Sequence, residues 1–120
     1  MWYFRQHSGG VLSEATPVCV GYSGHGLGRN NPDMQADPDV GPLPRGRYTI
    51  GPPQPTHGGF ALPLTPDPSN EMFGRSAFLI HGDMADPALA GTGSLGCIII
   101  PRVYRWAIWG SGDRDLEVIE

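Results

Sequence analysis

The chain is 120 residues long, the length of one ordinary domain, so residues 1–120 are read as a single domain with no separate regulatory module. Eight arginines, no lysine and twelve acidic residues leave a formal net charge of -4, with the positive charges scattered singly; the basic patch needed for sequence-independent nucleic-acid binding is excluded. The apolar run at residues 97–100 falls far short of the roughly 20 residues needed to cross a bilayer, so no membrane span is read.

Eighteen glycines and thirteen prolines reach the level at which disorder has to be considered. Three tryptophans, four tyrosines and four phenylalanines, together with compact apolar runs, supply a core that argues for an ordered, turn-rich domain. The first ten residues lack a basic segment followed by an apolar stretch, so no secretory signal is read and the chain is expected to be made in the cytoplasm.

Residues 2–6, 11–12 and 18–22 are short apolar or alternating segments separated by turn residues, the pattern of consecutive hairpins. Residues 24–44 are rich in glycine, proline, Asn and Asp and predict a long loop; loops of this length usually serve function, here as a wall on the substrate side. Residues 47–50, 60–62 and 77–80 are three further bounded apolar runs and predict strands. Residues 97–100 are apolar on both faces and predict a buried strand. Pro101 then suits a first helical turn, Val103, Trp106 and Ala107 fall at i, i+3 and i+4, and Gly110 is placed to end a helix over residues 101–109. Leu116 and Val118 give a last alternating strand, so the fold class is mainly β, a β-rich α+β chain with one short helix.

Two cysteines in a chain read as lacking a signal point to thiol chemistry more than to a disulfide scaffold, with a Cys19–Cys97 bridge as the other reading. Cys97 ends Gly91-Thr92-Gly93-Ser94-Leu95-Gly96-Cys97, where small residues let the backbone approach a ligand and aim successive N–H groups into one space. His81 follows an apolar run, a strand-end location from which an imidazole can face a cleft. A thiolate is the useful nucleophile, and an adjacent imidazolium favours it, so His81 is the candidate base for Cys97. The second imidazole nitrogen needs an acceptor, and both the Gly82 carbonyl and the Asp83 carboxylate are near enough in sequence to supply one. The N–H groups of Leu95, Gly96 and Cys97 are candidate oxyanion donors, and Ser94 a hydrogen-bond donor at the cleft. Cys19, flanked by valines, reads as core.

His81-Gly82-Asp83 and Ser94-Leu95-Gly96-Cys97-Ile98, with residues 82–93 between His81 and Ser94, resemble the His…Ser/Thr-His-Gly-Cys signature of the L,D-transpeptidase catalytic fold. Leu95 stands where that signature has a second histidine. Gly21-Tyr22-Ser23-Gly24, Gly28-Arg29-Asn30-Asn31-Pro32 and Gly41-Pro42-Leu43-Pro44-Arg45-Gly46-Arg47-Tyr48-Thr49-Ile50 resemble the small L,D-transpeptidase-like effectors delivered into the periplasm by type VI secretion. Together these motifs run from Gly21 to Arg102.

The resemblance implies a compact β-sandwich or barrel whose cysteine attacks the L,D amide between the third residue and D-alanine of a peptidoglycan tetrapeptide stem. Water, a free D-amino acid or a neighbouring stem then takes the acyl group, giving carboxypeptidase, exchange or cross-linking activity. Trimming and exchange are expected ahead of cross-linking, because so small a domain has little surface for a second stem. The implied partners are stem peptides, a cognate immunity protein and a component of the secretion apparatus, with action in the periplasm of a target bacterium. The alternative is a catalytically inactive binding or structural module of a secretion or phage-tail apparatus; a third reading is a cysteine hydrolase of other amides.

The resemblance would put Tyr22, Arg29, Asn30 and Asn31 by the cleft, where they can hold carboxylates or amides of the stem. Asn30-Asn31-Pro32 reads equally as turn chemistry. Arg102 is either a partner for a substrate carboxylate or an ordinary solvated residue of a first helical turn. His25 and His57 lie in glycine-rich segments, but no pair of histidines has the close spacing of a zinc site, so neither a metal nor a cofactor is expected.

Overall fold

A computed structural model describes all 120 residues. Nine strands form one sheet: β1 (Trp2–Arg5), β2 (Gly10–Ser13), β3 (Thr16–Val20), β4 (Tyr22–Ser23), β5 (Gly46–Ile50), β6 (Leu62–Pro66), β7 (Phe78–His81), β8 (Ile98–Ile99) and β9 (Asp115–Ile119). The single α-helix, α1 (Arg102–Gly110), lies between β8 and β9. The spatial order is β3-β2-β1-β9-β5-β6-β7-β8-β4, antiparallel except for the parallel pairs β1–β9 and β7–β8.

The strands form where apolar residues alternate. Trp2 and Phe4 pair with Leu116 and Val118, and Tyr48 with Leu116, so one face of the sheet is continuous with the core. The two edge strands are consecutive in sequence, with only Gly21 between them. At that residue the chain leaves β2, where Gly21 N–H still donates to Gly9 O, and Tyr22 takes up pairing with Ile99 of β8. The sheet is thereby drawn into a nearly closed, barrel-like shape. Glycine is required at this seam, because a Cβ would stand 2.2 Å from Ile99 O.

Several expectations are corrected. The strand placed at residues 60–62 runs instead from Leu62 to Pro66. Phe60 has a left-handed φ of 51° and follows the turn closed by the Gly59 N–H to Thr56 O bond, while Pro63 fits the ladder by contributing only its carbonyl, which accepts from Gly51 N–H. The helix is where it was expected, with Pro101 at its N-cap, but it is rotated. Val103 and Trp106 are 58% and 53% exposed, whereas Arg105 and Ile108 are the buried residues. The apolar stripe of Val103, Trp106 and Ala107 is thus solvent-facing, and Arg105 turns inward, where it finds backbone carbonyls to bond. The segment at residues 24–44 is irregular apart from two 3-10 turns, Gly26–Gly28 and Pro32–Met34; Asp39 from it lines the cleft that also holds Cys97 and His81, while Pro42, Leu43 and Pro44 at its end are fully enclosed.

Candidate active site

Cys97 immediately precedes β8 and His81 ends β7. Because these strands are parallel neighbours, with Ile80 opposite Ile98 and His81 opposite Ile99, both side chains reach one cleft of about 320 Å³. Asp39, His57, Ser76, Ala77, Phe78, Gly93 and Leu95 complete its lining.

His81 Nδ1 lies 2.8 Å from the Gly82 carbonyl. A carbonyl only accepts, so Nδ1 carries the proton and Nε2 is the free basic nitrogen. Of the two orienting groups left open by the sequence, Gly82 therefore makes the bond. The Asp83 carboxylate accepts instead from the Tyr22 hydroxyl at 2.7 Å and from the N–H groups of Met84 and Gly91, which ties down the loop after β7. Burial works to raise the Asp83 pKa, but these bonds outweigh it and hold the carboxyl below its ordinary value. The Tyr22 phenol, buried and bonded to Asp83, is pushed up to about 12.

Burial raises the Cys97 thiol, against the pull of the Leu79 N–H, which donates to Sγ at 3.3 Å, and of the Arg75 charge. Burial likewise lowers His81; the Gly82 carbonyl opposes this, and the neighbouring His57 and Arg105 add to it. Both directions favour a resting pair of neutral thiol and neutral imidazole rather than thiolate and imidazolium. Both cysteines are free, so the Cys19–Cys97 bridge is not formed, and burial pushes the Cys19 thiol up to about 11.

Ser94 is not at the cleft surface. Its hydroxyl, 0% exposed, donates to Cys97 O at 2.6 Å and accepts from Gly24 N–H and Gly96 N–H. Its proton is committed, which leaves it neither a nucleophile nor a cleft donor. The same bond removes Gly96 N–H from the expected oxyanion donors; Leu95 and Cys97 N–H have no protein acceptor among the turn and loop bonds. Leu95 itself is 60% exposed at the cleft rim. Gly96 is fixed as glycine twice over, by its φ of 133° and because a Cβ would stand 2.5 Å from Arg75 Nη2 and 2.7 Å from Phe78 Cε1.

The other expected substrate residues do not line this cleft. Tyr22, Arg29 and Asp83 line a separate recess of about 440 Å³, with the Arg29 guanidinium over the Tyr22 ring. Asn30 accepts from Ser23 N–H, and Asn31 caps the second 3-10 turn, so both do turn chemistry. Arg102 is exposed on α1 and donates to Gly58 O. No three metal-ligating side chains converge anywhere in the chain, and no helix is long and apolar enough to cross a membrane.

Sequence reasoning missed four contributors. His57 enters the cleft with its ring centroid 4.6 Å from that of His81. Arg75 bonds four backbone carbonyls, those of Gln35, Gly41, Pro42 and Leu95, and so fastens the Leu95 turn to the end of the long loop. Arg105 bonds the carbonyls of Phe60 and Ile100, and Ser23 Oγ donates to Gly96 O. The local signals among these were the Gly58-Gly59 pair after His57 and the Gly21-Tyr22-Ser23-Gly24 motif that contains Ser23; an isolated arginine gives none.

Residues 18–115 match the family model described as the Tlde1 domain. No curated protein and no solved structure gives a match.

Proposed function

The chain belongs to the Tlde1 domain family, a family of type VI secretion effectors, and on that premise we propose that it is an antibacterial cysteine acyltransferase of peptidoglycan stems. It acts in the periplasm of a target bacterium. The observation that carries this reading is the shared cleft of Cys97 and His81, with His81 Nδ1 bonded to the Gly82 carbonyl and Nε2 free.

In the first half-reaction Cys97 Sγ attacks the carbonyl carbon of the L,D amide while His81 Nε2 takes the thiol proton. Concerted transfer suits a pair that rests neutral, since no thiolate has to be kept in a buried site. The oxygen of the tetrahedral intermediate is held by Cys97 N–H and Leu95 N–H, each worth about 3 kcal/mol if well aligned. His81 then gives its proton to the departing D-alanine nitrogen, the C–N bond breaks, and the acyl group remains on Sγ as a thioester. Water or the amine of a D-amino acid, deprotonated in turn by His81, releases the stem. With one cleft of about 320 Å³ at the cysteine, trimming and exchange are favoured over cross-linking of two stems.

The test is incubation of the protein and its Cys97→Ala variant with disaccharide tetrapeptides and excess D-methionine, with products resolved by mass. Loss of D-alanine, or its replacement by D-methionine, is expected for the protein and absent from the variant. Unchanged tetrapeptides from folded wild-type protein would overturn the reading in favour of an inactive binding module.

A further inference from the structure

His57 is the second imidazole of the cleft, and nothing in the mechanism above uses it. His57, Gly58, Gly59 and Phe60 have φ of 53°, 86°, 98° and 51°, four left-handed residues in succession, two of them with side chains that disfavour this conformation. The strained run is kept in place by two arginines one turn apart on α1. Arg102 donates to Gly58 O, and Arg105 donates to Phe60 O and Gly59 O. Neither arginine forms an ion pair. Three consecutive carbonyls are thus gripped by two guanidiniums, and what the grip presents to the cleft is the His57 ring, 4.6 Å from that of His81 and tilted by 32°.

His81 needs such support. Its bond to the adjacent Gly82 carbonyl sets the tautomer and anchors one edge of the ring, and what remains to fix Nε2 is the packing around a residue only 5% exposed, in which the His57 ring is the aromatic part. Arg105 lies against Gly82 as well: a Cβ there would meet Nη1 at 3.1 Å, and the same Nη1 donates to Ile100 O, while Ile100 N–H donates to His81 O. The anchor and the tilted His57 ring are therefore both referenced to α1.

We propose that His57 is a positioning residue for His81: carried on a loop clamped to α1 by Arg102 and Arg105, it packs against the imidazole and holds Nε2 toward the Cys97 thiol. This rests on the reading of His81 as the base. The role needs a flat ring and not an ionisable one, which separates it from a second acid or base. The titratable and charged groups around His81 are His57 from this loop, Arg105 from α1, Asp83 from the chain after β7, and Cys97 and Asp39 from the lining of the shared cleft.

The experiment compares wild type, His57→Ala and His57→Phe. His57 is exposed, so the fold survives both changes. With tetrapeptide substrate, His57→Ala is expected to lower kcat about tenfold with KM within about twofold, and His57→Phe to recover most of the loss, as for an imidazole held slightly out of line. Independently of any peptidoglycan substrate, the NMR signals of the His81 ring report its environment; in His57→Ala they shift and broaden, and in His57→Phe they are sharp again. Unchanged His81 signals in His57→Ala would overturn the proposal even if the enzyme proved to act on another substrate. A loss confined to KM, or a phenylalanine variant as impaired as the alanine one, would also overturn it, by showing that His57 binds substrate or transfers a proton itself.

Discussion

Replacing Ser94 by alanine asks whether the cysteine loop is held from behind by a single hydroxyl. Ser94 Oγ donates to Cys97 O at 2.6 Å and accepts Gly24 N–H at 2.9 Å and Gly96 N–H at 3.1 Å; Ser94 is 0% exposed, the two N–H bonds are buried and the bond to Cys97 O is part-buried. Alanine removes one oxygen and orphans three backbone groups in a space the size of a hydroxyl, too small to admit a water that would replace it. At about 1 kcal/mol for each unsatisfied group, the loss is about 3 kcal/mol. With a urea dependence of about 1.5 kcal/mol/M, the unfolding midpoint falls by about 2 M. Ser8→Ala is the control: Ser8 Oγ also accepts a backbone N–H, that of Gly10, but at the surface, and its loss should stay within about 0.5 kcal/mol. The assay is equilibrium urea unfolding, with hydrogen exchange of the Gly24 and Gly96 amides as the local readout. A midpoint shift no larger than that of the control, with those two amides still protected, would refute the account of Ser94 as the loop's anchor.

Two further outcomes follow from the geometry around the base. Asp83→Asn should leave kcat/KM within about threefold, because Gly82 and not Asp83 orients His81, while exchange at the Gly91 amide accelerates as an NH2 group replaces its acceptor; a loss near the 10⁴-fold seen when a triad carboxylate is replaced would reverse that assignment. Burial chiefly lowers the His81 pKa from its ordinary 6.5, so the acid limb of kcat/KM should have its midpoint below 6.5 and level off as the pH rises past it, a profile measured in a buffer series; an acid limb centred above 6.5 would contradict the burial argument. Stability follows the same sign: the unfolded chain binds a proton that the native site resists, so the contribution of His81 is full above 6.5 and declines as the pH falls from there to the native value.

Much of the fold was legible from local pattern. Alternation in residues 2–6 and 47–50 and at Leu116 and Val118 predicted strands that the structure contains, since period-2 patterning is a property of a strand and its own two faces. The strand-end position of His81 and the tight backbone around Cys97 were legible for the same reason, as both follow from neighbours in sequence. The face of α1 was misread because Arg105 looks solvated until the carbonyls of Phe60 and Ile100 are brought to it. Ser94 was placed at the cleft for a similar reason: its acceptor and donors come from both the cysteine loop and Gly24, seventy positions away.

The sequence by itself determined most of the strands, where the helix lies, and that a histidine and a cysteine sit beside glycine-rich backbone, because periodicity, proline and glycine act over a few residues. Only the tertiary structure decided that the β3–β4 seam closes the sheet, that Gly82 orients His81, that Arg75 and Arg105 are buried on carbonyls, and that His57 reaches the cleft. Each of those depends on partners tens of residues apart or on which of two nearby acceptors the folded chain brings within reach. Hydrogen bonds and ring contacts act only at a few ångströms, and which groups come that close is set by how the whole sheet closes, not by the local pattern of any one segment.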